Sequence, residues 1–174
     1  MKAKIIIAVG ITVAIFFGNM AGGQAQTTAT ANASANIIVP ISIAKNVDMN
    51  FGNASVSAIA GGSVILSPGG SRTTTGSGVT LPATSGTVAA AAFTVTGAAG
   101  YTFAISLPAA AIINGPGAST MSVNNFASTP SGTGALSSGG TQYLTVGATL
   151  IISASQAPGT YSNATAIPVT INYN

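Results

Sequence analysis

From Ala29 to Ile43 every odd-numbered position is apolar: Ala29, Ala31, Ala33, Ala35, Ile37, Val39, Ile41 and Ile43. The positions between them, Thr28, Thr30, Asn32, Ser34, Asn36, Ile38, Pro40 and Ser42, are mostly polar. A repeat of two is the signature of an extended chain that buries one face, because successive side chains of a strand point to opposite sides. The run is longer than the usual strand of about 5 to 6 residues, so it covers two segments. Pro40 has no backbone N–H, which places its neighbourhood at a sheet edge, a bulge or a break.

The same alternation recurs downstream, cut at short intervals by glycine and proline. Val47, Met49 and Phe51 predict a short strand stopped by Gly52-Asn53, and Ser63 to Ser67 another, closed by Pro68-Gly69-Gly70. Ser71 to Gly78 reads as a Ser/Thr/Gly loop, followed by Val79 and Leu81. Thr87 to Thr96 places Ala91, Phe93 and Val95 on one face, and Gly97 to Gly100 reads as a hairpin connection into Tyr101, Phe103, Ile105 and Leu107. Met121 and Val123 mark a strand ending near Phe126, and Thr129 to Gly140 is a loop. Leu144, Val146, Ala148, Leu150 and Ile152 make the next strand, and Val169, Ile171 and Tyr173 the last. No segment after Phe17 combines helical spacing with caps. Many short strands separated by turn residues predict an all-β, antiparallel β-sandwich.

The first residues carry an address. Lys2 and Lys4 precede an apolar run from Ile5 to Phe17, and Gly23-Gln24-Ala25 offers small residues where a signal peptidase reads. That run is shorter than the roughly 20 residues a spanning helix needs. The predicted organisation is a signal peptide at 1–25, an N-terminal extension at 26–36 and a β-sandwich domain at 37–174, with no membrane span after cleavage. The predicted location is extracellular.

Beyond residue 25 the charged side chains are Lys45, Asp48 and Arg72, a net charge of +1. Nucleic acid is therefore not an expected partner, since a phosphate backbone demands clustered cations. The chain has no Cys and no His, so stability rests on packing and backbone hydrogen bonds. A neutral surface of Ser, Thr, Asn, Gly and Ala has little repulsion to keep copies apart, which suits a subunit that assembles.

Three groups of residues share an order and spacing with a known family. They are Asn36-Ile-Ile-Val-Pro-Ile-Ser-Ile43 leading to Asp48-Met-Asn-Phe-Gly52, then Thr145-Val-Gly-Ala-Thr-Leu150, then Ala157-Pro-Gly-Thr-Tyr161 running into Val169-Thr-Ile-Asn-Tyr-Asn174. On these the chain resembles DUF4402, and more distantly the spore-coat-protein-U and archaic chaperone-usher pilin subunits. The resemblance implies an immunoglobulin-like sandwich in a bacterial surface filament, pilus-like or fimbria-like. Its implied partners are further copies of the chain, a periplasmic chaperone and an outer-membrane usher. The absence of Cys departs from pilins that carry a disulfide near the first strand.

The resemblance also implies donor-strand complementation, in which an extension of one subunit enters a groove of the next as a β-strand. The candidate donor is Ala29, Ala31, Ala33, Ala35 and Ile37. The candidate acceptor groove is Val39, Ile41, Ile43, Val169, Ile171 and Tyr173, on the edges Ile37 to Ile43 and 166–173. Burying Ile or Val contributes roughly 1.5 to 3 kcal/mol and an Ala methyl about 0.8, so a donor shifted to include Ile37, Val39 and Ile41 would bind better. Both registers remain open, as does an intramolecular strand pair.

Conventional active-site chemistry finds few residues. Asp48 is the sole side-chain carboxylate, so paired-carboxylate catalysis is excluded, and without His no conventional base activates a serine. Gly61-Gly62 and Pro68-Gly69-Gly70 lack the helix and the Gly-Lys-Ser/Thr of a phosphate loop. Lys45 and Arg72 read as solvated cations or contacts to a neighbour or anionic glycan. Tyr161, after Pro-Gly, is placed like a corner tyrosine whose hydroxyl bonds backbone. The expectation is a structural protein, not an enzyme, without cofactor, metal or catalytic site. The alternative is a self-complete monomeric adhesin or carbohydrate-binding module, which the lack of Trp disfavours.

Overall fold

The computed structural model describes residues 26–165 and 167–174, so the predicted signal peptide lies outside the described residues. The chain divides into two units, 1–36 and 37–174. Of the first, residues 26–36 are exposed and belong to no strand.

The second unit is all β apart from a 3-10 turn at Pro116–Ala118. Its strands are β1 (Ser42–Val47), β2 (Ser55–Val56), β3 (Gly62–Leu66), β4 (Arg72–Thr75), β5 (Val79–Thr80) and β6 (Ala91–Thr96). Then come β7 (Thr102–Ser106), β8 (Ala110–Asn114), β9 (Thr120–Thr129), β10 (Thr133–Ala135), β11 (Thr141–Ile152) and β12 (Thr170–Tyr173). All pairings are antiparallel. The large sheet runs β1-β6-β11-β3-β4, with β9 also on β11 and β8 on β9. A smaller sheet runs β10-β7-β12, and β2 pairs with β5.

β11 organises the sandwich. One of its edges carries β6 along residues 141–146 and then β3 along 148–152, while β9 takes the other edge. Gly147 sits at the change of partner, and there a Cβ would lie 2.2 Å from the Leu66 carbonyl oxygen and 2.5 Å from Ser67 C. Only a residue without a side chain lets β3 leave the sheet so close to β11. The even positions Leu144, Val146, Ala148, Leu150 and Ile152 are buried throughout, so one strand serves two cores.

The first core joins Ala91, Phe93 and Val95 of β6 and Leu144 and Val146 of β11 to Phe103 of β7, Leu136 and Ile171 of β12. The second gathers Val64, Val79, Ala111, Val123, Ala148, Leu150 and Ile152, with Met49, Phe51 and Val56 packed against it. Each fully buried Leu or Val contributes roughly 1.5 to 3 kcal/mol, which replaces the disulfides the chain lacks.

Several local expectations change. Gly97 to Gly100 is no hairpin: β6 pairs with β1 and β11, and β7 with β10 and β12, so this link carries the chain from one sheet to the other. Loops expected at 71–78 and 129–140 contain β4 and β10. β1 begins only at Ser42, after Pro40, and no ladder includes residues 26–41. Met49 and Phe51 lie outside any strand, with Asn50 alone bridged, to Ala89.

Candidate functional site

Strands β1 and β12 are edges of two different sheets, and neither has a ladder partner on its outer side among the described residues. At one end the chain closes the crevice between them. The Tyr173 hydroxyl donates to the Val39 carbonyl at 2.8 Å and accepts the Ala98 N–H at 2.6 Å. Ile41, Ile43, Val169 and Tyr173 pack against the first core there.

Further along, the same crevice widens into a groove of about 1160 Å³. Its walls are residues 45–56, which continue β1, and residues 156–164, which lead toward β12. Its floor is the apolar inner face of the large sheet: Ala91, Phe93, Ile113, Met121, Val123, Leu150 and Ile152. The far end is closed where Ser155 donates through its N–H to Ser57 O at 3.1 Å and through its hydroxyl to Ala58 O at 2.9 Å.

The first wall is the Asp48-Met-Asn-Phe-Gly52 segment, folded by its own residues. Asn50 exchanges two backbone hydrogen bonds with Ala89, at 2.8 and 2.9 Å, and its side-chain oxygen accepts the Gly52 N–H at 2.8 Å. Gly52 has φ +68°, and a Cβ there would meet Ser85 O at 2.3 Å, so glycine is required for this turn. Arg72, on β4, reaches across so that one guanidinium nitrogen donates to both Phe51 O and Asn53 O at 2.7 Å. The expectation of a merely solvated Arg72 is therefore corrected: it is a brace on the groove wall. Lys45 and Asp48 pair with each other at 2.6 Å on the surface, a contact worth at most about 1 kcal/mol.

The second wall is built the same way from the opposite side. Ser162 and Asn114 exchange two backbone bonds, at 2.9 and 3.1 Å, and the Asn163 side chain donates to Ile112 O at 2.9 Å. Tyr161 lays its ring where a Cβ on Gly115 would be, and its hydroxyl donates to Ala157 O at 2.8 Å. Gln156 donates to that hydroxyl at 2.8 Å and to Thr120 O at 3.2 Å.

Each wall is thus bonded to the sheet on one side only. Backbone groups of an extended chain alternate in direction, so Met49 beside the bridged Asn50, and Tyr161 beside the bridged Ser162, turn theirs the other way. Both residues line the groove, and their backbone N–H and C=O have no backbone partner among the described residues. One residue on each wall thus leaves its peptide groups without a backbone partner beside an apolar floor.

The predicted acceptor residues divide accordingly. Ile41, Ile43, Val169, Ile171 and Tyr173 are occupied by the first core, and Val39 is 62% exposed beside Tyr173. The residues around the open groove, Met49, Phe51, Val56, Ile113 and Met121, are ones that sequence reasoning did not assign to an acceptor site. Of the predicted donor, Ala29, Ala31, Ala33 and Ala35 are exposed and Ile37 is 95% exposed.

The domain of unknown function DUF4402 matches residues 41–173, from just before β1 to the end of β12. The chain belongs to this family. The match begins after the exposed 26–36 arm, so the DUF4402 domain comprises both cores and both walls of the groove. No curated protein and no solved structure matches the chain.

Proposed function

We propose that this DUF4402 protein is an exported structural subunit of a bacterial surface filament, in which one copy lends its N-terminal arm as a β-strand to the groove of the next. The observation that carries the reading is the pair of walls bridged to the sheet at Asn50–Ala89 and Asn114–Ser162, which leave Met49 and Tyr161, among the described residues, without a backbone partner beside an apolar floor. An arm of alternating pattern that belongs to no strand supplies the complement. The groove offers Lys45 and Asp48, already paired, as its charged groups, so its chemistry suits a neutral segment.

Side-chain burial decides the affinity, because ordering about seven residues costs on the order of 10 kcal/mol, whereas bonds to the N–H and C=O of Met49 and Tyr161 return only about 2 to 6 kcal/mol at roughly 0.5 to 1.5 each. On this reading the protein works by assembly and not by turnover, and a chaperone that lays its own strand in the groove would keep subunits apart before export.

The test is deletion of residues 26–36 in the full chain, with the purified product viewed by electron microscopy. Polymers formed by the parent and lost in the deletion support the reading. Normal polymers from the deletion variant, or a parent that stays monomeric at all concentrations, overturn it in favour of a self-complete surface module.

A further inference from the structure

We infer that Ile37 of one copy is the anchor that fills the groove of another, seated against Met49 and Phe51 of one wall and Met121 and Ile113 of the floor. This inference rests on the strand-exchange reading above. Ile37 is 95% exposed, so its side chain is free to be buried by another molecule. The groove, at about 1160 Å³, has room for side chains larger than alanine. Among residues 26–37, the stretch that precedes the contact at Val39, Ile37 is the one bulky residue on the odd-numbered face.

Reach decides which copy supplies it. Ile37 is two residues from Val39, so their Cα atoms are at most about 7.6 Å apart. Val39 is held by Tyr173 at the closed end of the crevice, and β1 separates it from Met49. The six residues of β1 span roughly 20 Å at about 3.3 Å each. A chain's own Ile37 cannot reach its own Met49, whereas that of a second copy can. Pro40 then stands between the donated residue and the first residue of the donor's own core, Ile41, as a short stiff joint.

Because the chain has no cysteine, the register can be read by disulfide trapping in the full chain. Single variants I37C and M121C, mixed and oxidised, are expected to give cross-linked heterodimers. Ile37 is solvent-exposed, so I37A leaves the fold intact, while removing three buried carbons at about fourfold each raises the critical concentration for assembly roughly 60-fold. Cross-linking of A31C with M121C in place of I37C, together with unchanged assembly of I37A, would overturn the Ile37 register and leave strand exchange standing. No cross-link from either pair, with a protein that stays monomeric, would overturn both.

Discussion

Replacing Tyr173 by Phe tests whether the closed end of the crevice is held by one oxygen atom. The ring stays, and with it the edge-on contact to Tyr101, whose centroid is 5.7 Å away. What is lost is the hydroxyl that links β12, the sheet-to-sheet turn at Ala98 and the segment before β1. The Ala98 N–H then faces the ring edge unpaired in a partly buried site, a loss of about 1 to 3 kcal/mol. The Val39 carbonyl is open to water and adds little. Net destabilisation is therefore about 2 kcal/mol. With an unfolding entropy near 2.1 cal/mol/K per residue, a domain of this size loses roughly 3 °C of Tm per kcal/mol, so Tm falls by about 6 °C. Calorimetry measures this, and hydrogen exchange at the Ala98 amide locates it. Tyr101→Phe is the control, since the Tyr101 hydroxyl makes no side-chain hydrogen bond among the described residues. Equal Tm values for the two variants would refute the clasp.

Two further perturbations probe the scaffold around the groove. Arg72→Met removes both donors to the Phe51 and Asn53 carbonyls; a loss of about 2 kcal/mol in urea unfolding is expected, with faster exchange at Gly52 and Asn53. Gly147→Ala drives a methyl against the Leu66 carbonyl; a loss of about 3 kcal/mol is expected from the shift of the midpoint in urea, and an unchanged midpoint would refute the close approach of β3 and β11.

Alternation identified the strands whose inward residues are large. Val64 and Leu66, Phe93 and Val95, Leu144 through Ile152 and Ile171 are core residues at the expected spacing, because a pleated chain leaves no other way to bury them together. Where the pattern is faint, pairing decides. Arg72–Thr75 carries no apolar alternation and is a strand because β3 lies beside it, with Ser63 and Thr75 hydroxyls 2.6 Å apart. The Gly97 to Gly100 link has the same residues whether it joins paired strands or crosses between sheets, so the sequence cannot separate the two.

The groove is not legible in the sequence: strand exchange is what a family resemblance implies, and the residues that line the groove depend on contacts between distant segments. Arg72 braces a carbonyl 21 residues away, and Asn114 meets Ser162 across three intervening strands. Sequence alone determined the all-β class, the periodic faces and the poverty of reactive groups, because these follow from residue types and a repeat of two. Tertiary structure decided which edges are closed by Tyr173 and which stay open at Met49 and Tyr161, because an edge is free only when every other segment has found a partner elsewhere.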